Sequence, residues 1–191
     1  MSVATFYPFG PALSPAALAL LAGLAWLYLR GSGRRRLVGE RVGPVRHGLF
    51  AAGLLLLALA FEGPLAGAGE RLFLAHQVQH LIIRLLGPML IVLAHPGPVL
   101  RAGLPRETRR GLWRLGRQPA GQFAARVLTR LDVSFVLLIA ALYLWQVPAL
   151  HNAAVSRPPL ALLAHLGMGL AGLNCFAVVL DRRDAPEGAT Q

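Results

Sequence analysis

The residues with most chemistry to offer are histidines set among apolar neighbours. His76 and His80 are four apart, so on a helix they stand one turn from each other on one face. Gln77 and Gln79 flank them and make that turn polar on several sides. A second apolar run carries His165, with Met168 three residues on, and is preceded by Trp145, Gln146, Val147, Pro148 and then His151. Imidazole with a thioether nearby suits copper, and imidazole also suits zinc, nickel or iron. His76 and His80 could grip one ion, and His165 from another helix would close a trigonal site. His151, Met168 and Gln146 are weaker ligand candidates. The plainer alternative is that these side chains hydrogen-bond between helices and hold no metal.

The elements that position them follow from composition. Of 191 residues, 55% are apolar and only 14% are charged, against roughly 25% charged in ordinary soluble domains. The mean hydropathy is +0.57. So few polar groups cannot cover the surface of a small soluble domain, which excludes a soluble enzyme, a disordered tail and a fibrous protein. The expected fold is an all-α integral membrane bundle of about five transmembrane helices, a single domain over residues 1–191. The apolar runs put spans at about 11–28, 47–61, 72–94, 133–147 and 159–180, near the roughly 20 residues a bilayer requires.

All 19 basic residues are arginine, giving a net charge of +11. They lie between apolar runs, which argues against nucleic acid as a partner and for a lipid bilayer. The successive loops carry six, one, eight and one arginines, and the tail carries two. Arginine marks the cytoplasmic side, so the N-terminus is expected outside and the C-terminus inside. Residues 1–29 hold no charge, unlike a cleavable signal, which is positive before its apolar stretch. The loop over 101–130 is expected to be cytoplasmic and amphipathic. Leu104, Thr108, Leu112 and Leu115 form its apolar stripe, and arginines form its other side, as in a helix lying on the inner leaflet or docking a partner.

With this orientation His76, His80, His151 and His165 gather in the outer third of the bundle, with Glu62 and Glu70 bounding the loop before span three. His47 and His95 fall at inner ends and receive no role. Arg84, four residues beyond His80, requires a partner or a hydrated cavity, or snorkels inward. Cys175 is alone, so disulfides and paired-cysteine metal clamps are excluded, and it reads as a small buried hydrophobe.

Two blocks resemble the CtaG-type cytochrome c oxidase assembly factors. In FEGPLAGAGERLFLAHQVQHLIIRLLGPMLIVLAHPGPVLRAGLP the matches are Pro64-Leu65, His76, Gln79, His80, Pro88, Pro96 and Pro98. In LYLWQVPALHNAAVSRPPLALLAHLGMGLAGLNCF they are Trp145, Pro148, Leu150 and His165. Against the family pattern, Gln77 replaces a Met, Gln146 a His, Ala164 an acid and Arg84 an apolar residue. The resemblance spans about residues 45 to 180. It implies a multi-pass protein of the bacterial plasma membrane that helps deliver copper to cytochrome c oxidase. His76, His80 and His165 correspond to the family's copper ligands. The implied partners are an oxidase subunit or another copper chaperone, and a site shared between two copies would make a homodimer.

No Ser/His/Asp set, carboxylate pair within a span or phosphate-binding glycine loop is present, so an enzyme is not expected. The competing functions are a haem-binding electron-transfer protein using His80 and His165 as axial ligands, a transporter or proton relay, and a scaffold whose polar cluster only packs helices.

Overall fold

The computed structural model describes residues 15–62, 65, 68, 72–150, 153 and 157–180. Among the described residues every regular element is helical. In order they are α1 (Pro15–Leu37), α2 (Pro44–Glu62), α3 (Phe73–Leu81), a π-helical turn (Ile82–Leu86), α4 (Gly87–Leu93), α5 (Gly97–Gly103), α6 (Arg106–Arg117), α7 (Pro119–Leu128), α8 (Leu131–Tyr143), a 3-10 turn (Leu144–Gln146) and α9 (Pro158–Val179). Prolines open α1, α2, α7 and α9. Proline suits that position because its missing N–H has no intrahelical acceptor there, and its φ is already helical.

Four stretches are long and apolar enough to cross a membrane: Ala16–Leu37, Pro44–Phe61, Phe73–Leu93 and Pro159–Val179. Pro119–Leu128 and Leu131–Gln146 qualify only as a pair bent by 77°. The sequence expectation of about five spans therefore meets four helices of sufficient length and a bent pair that makes a fifth only if its two arms form one span. Arg130 breaks it, with extended backbone (φ −76, ψ 132) and a guanidinium clamped on Asp132 at 2.7 and 3.1 Å. The 13 residues of α8 make about 20 Å of helix, short for a hydrocarbon core of about 30 Å.

The first crossing differs most from its sequence boundary. Expected to stop near residue 28, α1 runs to Leu37. Arginine is a good helix former, so loss of apolarity at Arg30 does not end the helix. The turn into α2 contains Gly39 at φ +83, a left-handed conformation natural to glycine. α2 likewise begins about a turn before His47, at Pro44.

α1 packs along α5, α2 along α4, and α9 against α8, α4 and the π turn. Gly31 and Gly103 make the first contact close. A Cβ on either would run into backbone of the opposite helix, at Val99 and Leu27. Small residues allow helix backbones to approach in this way within a membrane. The C-terminal end of α5 is then covered by Arg34, which donates to the carbonyls of Ala102 at 2.9 Å and Leu104 at 3.1 Å. One apolar cluster joins Tyr28, Phe50, Leu57, Ile91, Ala94 and Val99; the other joins Ala60, Ile83 and Met168. The second lies beside the histidines.

The expected amphipathic loop is helical as α6 and α7. α6 has no buried residue, and Leu112, Trp113 and Leu115 are exposed. Its leucines and Trp113 form an uncovered apolar stripe opposite its arginines.

Candidate metal centre

His76 and His80 lie on α3, as their spacing requires. Their ring centroids are 4.2 Å apart. His165, on α9, meets His80 edge-on with centroids 5.7 Å apart. Three imidazoles from two crossings thus form one connected group. His80 is buried, while His76 and His165 are half-buried. Phe61 of α2 packs edge-on against His165 at 5.9 Å, so a third helix walls the group with an aromatic ring.

Taken pair by pair, the ring separations are those of imidazoles that share a ligand sphere. A ring nitrogen ligates a borderline metal at about 2 Å, which leaves two ligating centroids about 4–6 Å apart. Both measured separations lie in that range. Among the described residues, however, no group of three or more His, Cys, Asp or Glu side chains is placed to hold a metal ion.

The backbone around the group is unusual for a physical reason. Pro88 has no N–H and its ring would strike the carbonyl of Arg84 in a regular α-helix. The chain widens instead: the Gly87 N–H reaches back five residues to the Ile82 carbonyl. Such single π turns recur at functional sites. α9 then crosses tightly here, because a Cβ on Gly172 would collide with the Arg84 carbonyl. Gly172 lies seven residues, about two turns, after His165 on the same face of α9, so this contact fixes the height at which His165 faces His80.

Gln79 ties α3 to α2. It is buried and its Nε2 donates to the Ala60 carbonyl at 2.8 Å. That carbonyl would accept from residue 64 in a continuing helix, but residue 64 is proline and has no N–H. The glutamine supplies the donor that the sequence withholds. This coupling and the Phe61 wall were not expected. The Pro64–Gln79 pair carried a signal, since both residues belong to the resemblance, whereas an apolar Phe61 carried none.

The weaker candidates fare differently. Met168 is buried with Ala60 and Ile83, next to Trp145, one turn below His165. Gln146 is exposed at the end of the 3-10 turn. His151 and Glu70 lie outside the described residues. Arg84 is buried, and its Nε donates to the His80 carbonyl at 3.1 Å. It thus turns back toward the imidazoles and does not snorkel inward. His47 packs edge-on against Tyr28 at 5.5 Å, remote in the fold from the three-ring group.

A family model described as cytochrome c oxidase caa3 assembly factor (Caa3_CtaG) matches residues 26–191. The chain belongs to that family. The match takes in all three clustered histidines, the π turn and the Gln79–Ala60 tie. No curated protein and no solved structure matches this family member. It is an assembly factor of cytochrome c oxidase by family and a multi-pass helical membrane protein by structure.

Proposed function

We propose that the protein carries copper as cargo on His76, His80 and His165 and passes it to a subunit of cytochrome c oxidase during assembly. The observation that carries this reading is the meeting of imidazoles from α3 and α9, with centroids 4.2 and 5.7 Å apart. Neutral imidazole is a good ligand for copper. A three-coordinate ion keeps an open position, so an incoming ligand can attack before the outgoing one leaves. Hand-over by ligand exchange then involves no catalytic turnover.

The arginine pattern supports an N-terminus outside and a C-terminus inside, with this group on the extracytoplasmic side of the bacterial plasma membrane. A copper chaperone on that side is the natural donor. All three proposed ligands come from one chain, so the site does not call on a second copy.

The test is copper content after anaerobic loading of the detergent-purified protein with Cu(I). About one equivalent is expected in the wild type, and well under half an equivalent in His76→Ala/His80→Ala and in His165→Ala. Cells carrying these variants should assemble oxidase with less copper. Wild-type and variant proteins of equal copper content would sink the reading and leave the histidines as helix-packing groups.

A further inference from the structure

A second site lies at the other end of the molecule, where α1 turns into α2. A cavity of about 390 Å³ is lined by Leu29, Ser32, Gly33, Arg36, Arg41 and His47, with Val42 completing the wall. Its cationic groups stand apart from their arginine neighbours. Arg34 is held by the carbonyls at the end of α5. Arg35 is held by Glu40 at 2.7 Å. Arg36 and Arg41 are exposed and have no ion-pair partner among the described residues. The Ser32 hydroxyl donates to the Leu29 carbonyl at 2.9 Å, so the two guanidiniums supply the donors.

The walls are apolar on the side that continues into the membrane span. On α1, Leu29 in the cavity wall is 67% exposed, and Trp26, outside the lining, is 56% exposed; they stand about two and three turns from Arg36. Arg30 covers the Trp26 ring at 5.0 Å, an amphipathic pairing suited to the headgroup level. A ligand here would meet guanidinium at one end and Leu29 at the other, and an apolar chain extending beyond the cavity would reach Trp26. A free inorganic anion would use only the first half.

We propose that this cavity binds the phosphate of an anionic diacyl phospholipid between Arg36 and Arg41, with an acyl chain lying along Leu29 and Trp26. Guanidinium forks match phosphate oxygens in pairs, and basic pockets between transmembrane helices are established headgroup sites. The bound lipid would pin the α1–α2 turn to the leaflet. This site is separate from the histidine group, and the proposal does not depend on copper.

The experiment is native mass spectrometry of the full chain in detergent, titrated with phosphatidylglycerol, phosphatidylcholine or inorganic phosphate. One phosphatidylglycerol is expected to bind with preference over phosphatidylcholine. Arg36→Gln/Arg41→Gln should weaken it by about tenfold or more, while Arg106→Gln/Arg109→Gln on exposed α6 should leave it nearly unchanged. Circular dichroism of each variant checks that the helices persist. Equal loss in both double variants, or in neither, overturns the proposal. So does inorganic phosphate that competes at the same concentration as the lipid. Binding that appears only after Asp181, Asp184 and Glu187 are changed to amides would make the tail the occupant and would also overturn it.

Discussion

Arg84 reaches back along its own helix to His80, its Nε donating to the His80 carbonyl oxygen at 3.1 Å. Helical side chains lean toward the N-terminus, and the π turn that contains Arg84 leaves its guanidinium buried beside α9. A positive charge therefore sits within about a turn or two of the proposed cation site. At an effective dielectric constant of about 20, such a charge opposes cation binding by about 2 kcal/mol. This works against retention and in favour of release, which suits a carrier.

Arg84→Met should accordingly tighten Cu(I) binding by about thirtyfold, read by competition with a chromophoric Cu(I) chelator. Transfer to the oxidase should slow in parallel. Unchanged or weaker binding in a variant that keeps its helical circular dichroism would mean that the charge is not felt at the imidazoles.

Gln79 of α3 donates to the Ala60 carbonyl of α2, for which Pro64 offers no backbone N–H. Gln79→Leu removes the donor to the Ala60 carbonyl and leaves that oxygen buried, at a cost of about 1 kcal/mol. Pro64→Ala restores a backbone N–H at the position from which a continuing helix would donate. The double variant should therefore melt in detergent closer to wild type than the sum of the single variants implies. Strict additivity would show that the two residues do not share this carbonyl.

Glycine at 172 is required by the Arg84 carbonyl, whereas Gly167 on the same helix faces open space, with nothing within 4 Å of an added Cβ. Gly172→Ala should destabilise the bundle by about 2 kcal/mol, the cost of overpacking against backbone that cannot move aside. It should also reduce copper loading by displacing His165. Gly167→Ala should be neutral or slightly stabilising, since alanine favours helix. Thermal unfolding of both variants in one detergent distinguishes these outcomes, and equal melting temperatures would argue against a close α9 crossing.

The sequence carries much of this arrangement. Apolar runs find the crossings, because a bilayer sets a minimum length. The i,i+4 spacing of His76 and His80 finds their shared face, because helix geometry is fixed. That His165 comes near His80 is an expectation from topology and charge, and their ring centroids lie 5.7 Å apart. What is not legible depends on tertiary contact. Nothing in an apolar pattern distinguishes a straight crossing from one broken at Arg130, or tells where α1 stops once arginines continue it to Leu37. The π turn has its cause in Pro88, but its place against Gly172 depends on two helices meeting. Met168, three residues after His165, enters an apolar cluster because it packs with Ala60 and Ile83.

Direction across the membrane is the remaining link between the histidine group and its acceptor. The arginine counts of six, one, eight and one in successive loops would hold the α1–α2 turn and α6–α7 in the cytoplasm. Two exposed positions test this in a Cys175→Ala background: Val38, in the α1–α2 turn, and Ala149, beyond the 3-10 turn. In intact cells a membrane-impermeant maleimide should label Ala149→Cys and leave Val38→Cys untouched until the membrane is opened. The charge difference spans 14 arginines against two, so a mixed population is not expected. Labelling of Val38→Cys alone would turn the molecule over, put the imidazoles at the cytoplasmic face, and require copper to be acquired from inside the cell.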